Sequence, residues 1–241
     1  WYVARRPPYL LDASIKVKHL AGLTLAGIIV YAGAYLKHRR GRRTPLFFLS
    51  VLLAAAVIVA SGIGVRLITN PLGGVISLAK WEHILFWWQG IAYRITLPAD
   101  ILTLAWFFVV IYTVRRLNTL DGLVSGITTI GALMIFFLTT ATKYFQPEVG
   151  ALAVVAAGAF AGLLLLTWHP AKIRLGAGGA AFAGATLGTL AIISGGKIAT
   201  TLLVLGVPVL DVAWGWIRRM IWGRVGSGQR KPLPYRLLDA G

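Results

Sequence analysis

From Val149 to Trp168 the chain runs for twenty residues without a charge, VGALAVVAAGAFAGLLLLTW. A helix needs about 20 apolar residues to cross the hydrocarbon core of a bilayer, so this run is one span long. Uncharged runs of similar length lie at 19–36, 45–65, 122–142 and 178–195, and two more, 97–113 and 198–217, are each broken by a single aspartate. In lipid only helices and closed barrels satisfy the backbone, and runs without period-two alternation exclude a barrel. The predicted fold is therefore all-α, a polytopic helical bundle of about seven spans forming one domain over 1–241. Composition agrees: 13% of residues are charged and the mean hydropathy is +0.78, whereas a soluble domain carries about a quarter charged. The chain has no cysteine, which removes disulfides, thiolate metal sites and cysteine nucleophiles.

The net charge of +17 does not point to nucleic acid, because the basic residues gather at span ends. Cytoplasmic loops of membrane proteins carry such an excess. KHRRGRRT at 37–44 orients the bundle, with Arg115-Arg116, Lys172, Arg174 and the tail from Arg218 on the same side. Fifteen basic residues then fall inside against five outside, and an interfacial lead-in at 1–18 adds four more outside. The basic tail 218–241 is expected in the cytoplasm of a bacterial cell, with the chain in its inner membrane. Segment 66–95 is too polar to span and is expected as an external loop. Its NPLGG run, Asn70 to Gly74, is turn chemistry. WEHILFWWQGIAYR mixes aromatic rings with charges, which suits a short external interfacial helix. The chain begins at Trp1 rather than Met, so a further N-terminal piece is expected.

Small residues crowd 150–162 and 176–189, and membrane helices use them to approach closely. Gly158, Gly162, Gly184 and Gly188 are the expected contact points. Asp121 stands ahead of the fourth span as a candidate helix cap. Asp211 lies within a span, where an acid turns inward to a neighbouring polar group. His19, His83 and His169 sit at span ends or in the interfacial segment and suit the headgroup zone. A haem or pigment ligand is the lesser reading.

The segment from His169 to Arg219 adds a motif. Gly176, Gly179, Phe182 and Gly184, then Pro208, Asp211 and Arg218-Arg219, follow the register of a GDxGS helix succeeded by a PxxD helix with a basic exit. In this the chain resembles the polyprenyl-phosphate N-acetylhexosamine-1-phosphate transferases. The resemblance covers nearly the whole chain and implies a cytoplasmic site where a divalent cation, held by carboxylates, bridges the phosphates of a lipid and a nucleotide sugar. At each catalytic motif the sequence departs from the pattern. Leu36 and Lys37 occupy an expected Asp-Asp pair. In LNTLDGL, Asp121-Gly122-Leu123 match one D-G-L while Asn118 and Thr119 replace the preceding D-G, and Arg115 stands for an asparagine. Ala177 replaces the GDxGS aspartate and Ala180 its serine. Pro232, Pro234 and Tyr235 replace three histidines ahead of Arg236.

The leading expectation is thus a non-catalytic, transferase-like membrane protein, serving as a structural or lipid-binding subunit of a membrane assembly. Its partners would be anionic lipid headgroups or polyprenyl phosphate, together with other membrane subunits and no nucleic acid. Lys37, Arg115, Arg116, Lys172 and Arg174 are the expected lipid-phosphate ligands. No resident cofactor and no metal are expected on this reading. The alternative is a divergent active transferase joining a UDP-sugar's phosphate to polyprenyl phosphate. It would work in a pocket of Asn118, Asp121, Lys172 and Arg174 and would imply magnesium. A pigment- or haem-binding subunit is the second alternative.

Overall fold

The computed structural model describes residues 17–40, 46–65, 67–69, 75–77, 82–88, 91–141 and 145–194, with isolated positions at 206, 209, 210 and 214. The apolar runs fold as helices: α1 (Val17–Arg40), α2 (Leu46–Ala60), α3 (Leu97–Leu117), α4 (Leu123–Ala141), α5 (Pro147–Thr167) and α6 (Ala177–Ile193). Four of these, α1, α3, α4 and α5, are long and apolar enough to cross a membrane. At 15 and 17 residues, α2 and α6 are shorter than the roughly 20 of a full span. The expected seventh span, 198–217, lies almost wholly outside the described residues, and so does Asp211.

Local chemistry sets the helix ends. Gly62 takes a φ of 90°, and around it the Ile63 amide donates to the Ile58 carbonyl and the Gly62 amide to that of Val59. This is a Schellman closure, which needs a left-handed residue after the helix. Its usual apolar contact is supplied by Ile58 and Ile63, both buried. Pro98 opens α3 and Pro147 opens α5, where a missing amide hydrogen costs nothing. Asp100 in the first turn of α3 accepts the Thr96 amide at 3.0 Å.

Segment 66–95 departs from expectation. It contains strands β1 (Leu67–Thr69), β2 (Val75–Ser77), β3 (Glu82–Trp88) and β4 (Ile91–Thr96), not an interfacial helix. β1 pairs antiparallel with β2 and β3 with β4. Trp88 faces Ile91, leaving two residues between the strands, Gln-Gly in sequence. β-branched and aromatic side chains favour the pleated backbone, and a two-residue link favours a hairpin. Together these outweigh the interfacial-helix pattern.

The centre of the bundle is α6, buried at every position from Ala183 to Ile192. It packs against α3 and α1, while α4 packs against α5 and α1 against α2. Its small residues explain the placement. A Cβ on Gly184 would lie 2.8 Å from the Ile111 Cα, so the backbones of α6 and α3 touch there. Gly188 lies under Trp106, whose indole N–H donates to the Gly188 carbonyl at 3.2 Å. α5 is different: nothing lies within 4 Å of a Cβ built on Gly158 or Gly162. The expected contact points hold at Gly184 and Gly188 and fail at Gly158 and Gly162, because α5 is apolar on every face and turns those two outward. Several buried hydroxyls return to their own helix, as Thr128 to the Val124 carbonyl at 2.7 Å and Thr189 to that of Ala185 at 2.8 Å; such back-bonding satisfies them without a second helix. Trp106→Phe should keep the packing but lose the cross-helix bond, costing about 0.6–2 kcal/mol in detergent unfolding. A stability equal to wild type would remove that bond from the account.

Candidate functional site at the basic end of the bundle

The α3–α4 and α5–α6 junctions meet at one end of the bundle, and Phe47 at the start of α2 meets Lys37 in the last turn of α1 and Arg115 near the end of α3. α3 ends at Leu117, and Asn118 to Gly122 turn the chain into α4. Gly122 has a φ of 73°, and a Cβ there would also stand 3.3 Å from the Thr167 carbonyl. Glycine is needed at this D-G step for both reasons. The 168–176 loop folds back on α5: the Lys172 and Ile173 amides both donate to the Leu166 carbonyl, at 3.0 and 3.2 Å. The Asn118 side-chain amide donates to the Leu175 carbonyl and ties the two loops together.

Between these loops lies a cavity of about 280 Å³, lined by Asn118 to Gly122, Val124, Ser125, Thr167, Ala171 and Ile173 to Gly176. Asn118, Asp121 and Arg174 of the expected pocket all line it. Lys172 does not; it is exposed beside the cavity. Asp121 Oδ2 lies 3.5 Å from Nδ1 of the exposed His169. The expected helix cap is replaced by this contact, because the 168–176 loop brings the imidazole to the carboxylate. Ser125 and Thr167 join their hydroxyls at 3.0 Å along the wall, and both are buried. That pair was not legible in the sequence, where a serine and a threonine 42 residues apart carry no common signal. Ala177 is the first residue of α6, directly after Gly176 of the cavity wall.

The remaining cations divide in two. Arg116 donates from Nε and Nη2 to the Tyr112 hydroxyl, at 3.1 and 2.6 Å, and its guanidinium lies 5.1 Å from that ring's centre. The i, i+4 spacing of Tyr112 and Arg116 is the signal that was missed. Lys37 and Arg115 instead stand over the ring of Phe47, at 5.4 and 4.0 Å from its centre. Leu36 is exposed beside them. Pro232, Pro234 and Tyr235 lie outside the described residues.

Charge and donor chemistry decide what this end can hold. A magnesium ion is bound through carboxylates and phosphate oxygens. Here the cavity offers one carboxylate, Asp121, and the side-chain carbonyl oxygen of Asn118, whose Nδ2 is bonded to Leu175, with Arg174 in the same wall. Among the described residues no group of three His, Asp or Glu side chains converges. Among the described residues the cavity thus supplies one carboxylate towards such an ion.

A family model described as glycosyl transferase family 4 matches residues 20–195. Over its full length the chain is 25% identical to decaprenyl-phosphate N-acetylglucosaminephosphotransferase of Mycobacterium leprae, covering 63% of that protein. It is 26% identical to the protein of the same name from Mycobacterium tuberculosis (strain H37Rv), again along its whole length, and covers 62% of it. Over 51% of the chain it is 31% identical to phospho-N-acetylmuramoyl-pentapeptide-transferase of Halalkalibacterium halodurans, covering 40% of that protein. The chain thus spans a little over 60% of the length of its full-length matches. The helical bundle, the Asp121-Gly122 turn and a family match across most of the chain agree: this protein belongs to glycosyl transferase family 4.

Proposed function

We propose that the chain binds the phosphate of a polyprenyl-phosphate lipid at the basic end of the bundle, as a non-catalytic member of its family within a larger membrane assembly. The observation that carries this is the cavity wall, where Asn118 and Arg174 flank a single carboxylate that already faces His169. A phosphate entering there meets positive charge without needing a bridging metal. The names of the mycobacterial relatives specify a polyprenyl phosphate as substrate, which supports the choice of lipid. The charge bias supports a cytoplasmic basic end and C-terminal tail in a bacterial cell, at the inner membrane. Lys37, Arg115, Arg174 and the adjacent Lys172 supply the attraction, at about 1 kcal/mol for each basic residue near an anionic surface.

The test uses the purified chain in nanodiscs carrying either polyprenyl phosphate or the uncharged polyprenol. Wild type should prefer the phosphate form by at least about tenfold, and Arg174→Gln should lose about tenfold of its affinity, the value of one charge-assisted bond. Equal binding of the two lipids would overturn the proposal.

A second reading, transfer of a sugar phosphate from a UDP-sugar to polyprenyl phosphate, is favoured by two observations. The relatives are named as transferases, and Asn118 and Asp121 line the same cavity. Magnesium-dependent turnover by the unmodified chain would establish it in place of the first.

A further inference from the structure

Strand β4 ends at Thr96 and α3 begins at Leu97, so no linker separates the strand from a membrane helix. Its height at the bilayer is therefore set by α3. Among the described residues β4 pairs on one side alone, with β3, in a two-stranded sheet. Such a sheet is marginally stable by itself in water, and its outer edges keep unpaired backbone donors and acceptors. The two edges differ. Ile84 pairs with Arg94 and Phe86 with Tyr93, so Leu85 is an extra residue on β3. A bulge of this kind twists an edge away from further pairing. β4 has no bulge, no proline and no lysine. Its sequence, Ile-Ala-Tyr-Arg-Ile-Thr, is mostly β-favouring, and its one safeguard against further pairing is the charge of Arg94.

We infer that β4 is a strand-addition edge whose partner is β4 of a second copy of this chain, paired antiparallel about Tyr93. A second copy inserted the same way in the same membrane presents an identical edge at an identical height. No unrelated partner carries that guarantee. A two-fold axis normal to the sheet relates two such strands. It keeps each residue on its own face, and successive residues alternate faces, so the pairing centres on a residue and not between two. Charge and length choose which one. Centred on Arg94, the pairing sets two arginines opposite each other, which is unfavourable. Centres nearer either end of the strand join fewer residues. Centred on Tyr93, it joins 91–95 of both strands, with Tyr93 opposite the partner's Tyr93, Ile91 opposite the partner's Ile95 and Ala92 opposite the partner's Arg94. Aromatic residues directly opposite each other stabilise a strand pair, and Arg94 meets no charge of its own sign. Two two-stranded sheets thus become one four-stranded sheet, in the order β3–β4–β4–β3. This interface is independent of the lipid-phosphate reading and lies at the other end of the bundle.

The test uses the full chain, which has no cysteine of its own, in lipid vesicles at low protein density. Directly opposite residues of an antiparallel pair have Cα atoms about 4.5–5.5 Å apart, within disulfide reach. Ile91 and the partner's Ile91 lie four residue steps apart, about 14 Å, which is beyond it. Under mild oxidant Tyr93→Cys should therefore form a covalent dimer, and Ile91→Cys should stay monomeric. Förster transfer between copies labelled at the C-terminus reads the same dimer without cross-linking. Ala92→Glu sets a carboxylate opposite the partner's Arg94, twice by symmetry, and should tighten the dimer by about fivefold. Ala92→Lys sets like charges there and should weaken it by about fivefold. These two variants carry the test if Tyr93→Cys fails to fold. Wild type that stays monomeric at vesicle densities where Ala92→Glu is also monomeric would overturn the inference. A wild-type dimer that cross-links equally at Ile91→Cys and Tyr93→Cys, or that treats Ala92→Glu and Ala92→Lys alike, would place the contact elsewhere and overturn it as well.

Discussion

Supplied with polyprenyl phosphate, UDP-N-acetylhexosamine and magnesium, the reconstituted chain is expected to release UMP at less than about a thousandth of the rate of a relative with intact motifs. The magnitude follows from how catalytic units fail. Removing one member of such a unit typically costs several orders of magnitude, and further removals add little. On the resemblance read from the sequence, the departures fall at separate places: Lys37 at the Asp-Asp position, Asn118 in the D-G segment, Ala177 in the GDxGS segment, and Pro232, Pro234 and Tyr235 in the tail. Electrostatics reinforces the argument. Asp121 is the single carboxylate lining a cavity that also contains Arg174, and Arg115 precedes its Asn118 by three residues. On the proposed reading this surface disfavours a free divalent cation and favours a phosphate. Ala177→Asp alone should therefore leave turnover at background, because one restored carboxylate does not rebuild a multidentate site. Chelator-sensitive UMP release by the unmodified chain, above that thousandth, would establish the transferase reading instead.

The helices were legible because a bilayer imposes a length and a polarity that few other environments require. Runs such as 122–142 and 149–168 fall within two residues of α4 and α5. The junction at Asp121-Gly122 was legible as well, since a D-G step between two spans demands a tight turn, and Gly122 supplies its positive φ. What composition could not give was direction. Gly158 and Gly184 lie in equally small-residue stretches, but an evenly apolar helix has no polar face to say which side turns inward. Gly184 faces α3, and Gly158 faces open space. The β3–β4 hairpin was obscured for a related reason. Trp81, Trp87, Trp88 and Tyr93 beside Lys80 and Arg94 suit the membrane interface as a helix or as strands, so such a pattern does not select secondary structure. The two-residue Gln-Gly gap between β-favouring runs was the better signal.

At the site, the sequence named cations but not their company. Arg174 lines the cavity and Lys172 does not; the Lys172 amide instead donates to the Leu166 carbonyl where the 168–176 loop folds back on α5. Arg115 and Arg116 are adjacent in sequence yet serve different rings, Phe47 and Tyr112. Consecutive helix residues point about 100° apart, so an Arg-Arg pair at a helix end cannot present both heads to one ligand. The residues that organise the site, Phe47, Ser125, Thr167 and His169, gain their roles only from tertiary proximity.

Replacing Gly184 with leucine is expected to abolish recovery of a monodisperse protein, while the same change at Gly158 should be harmless. At Gly184 a Cβ alone would come within 2.8 Å of the Ile111 Cα and 3.3 Å of the Val114 Cβ. The nearer obstacle is backbone, which cannot swing aside as a side-chain tip can. Leucine adds three further carbons to that contact, so α6 must separate from α3. Separation also strains the Trp106 bond to Gly188, one turn further along α6. Overpacking a tight core costs about 1–3 kcal/mol and sometimes more. This contact lies on the most buried helix of the bundle, so the upper end of that range applies. Gly158 has nothing within 4 Å of its would-be Cβ, and leucine is a better helix former than glycine by roughly 0.5–1 kcal/mol. Gly158→Leu should therefore match or slightly exceed wild type in detergent stability and elute at the same size. Size-exclusion profiles and thermal unfolding of the two variants, made side by side, read both effects. Wild-type behaviour from Gly184→Leu would dismantle the α3–α6 packing described above. Loss of assembly from Gly158→Leu would instead show that the outer face of α5 is covered in the membrane, and that its small residues serve a contact beyond this bundle.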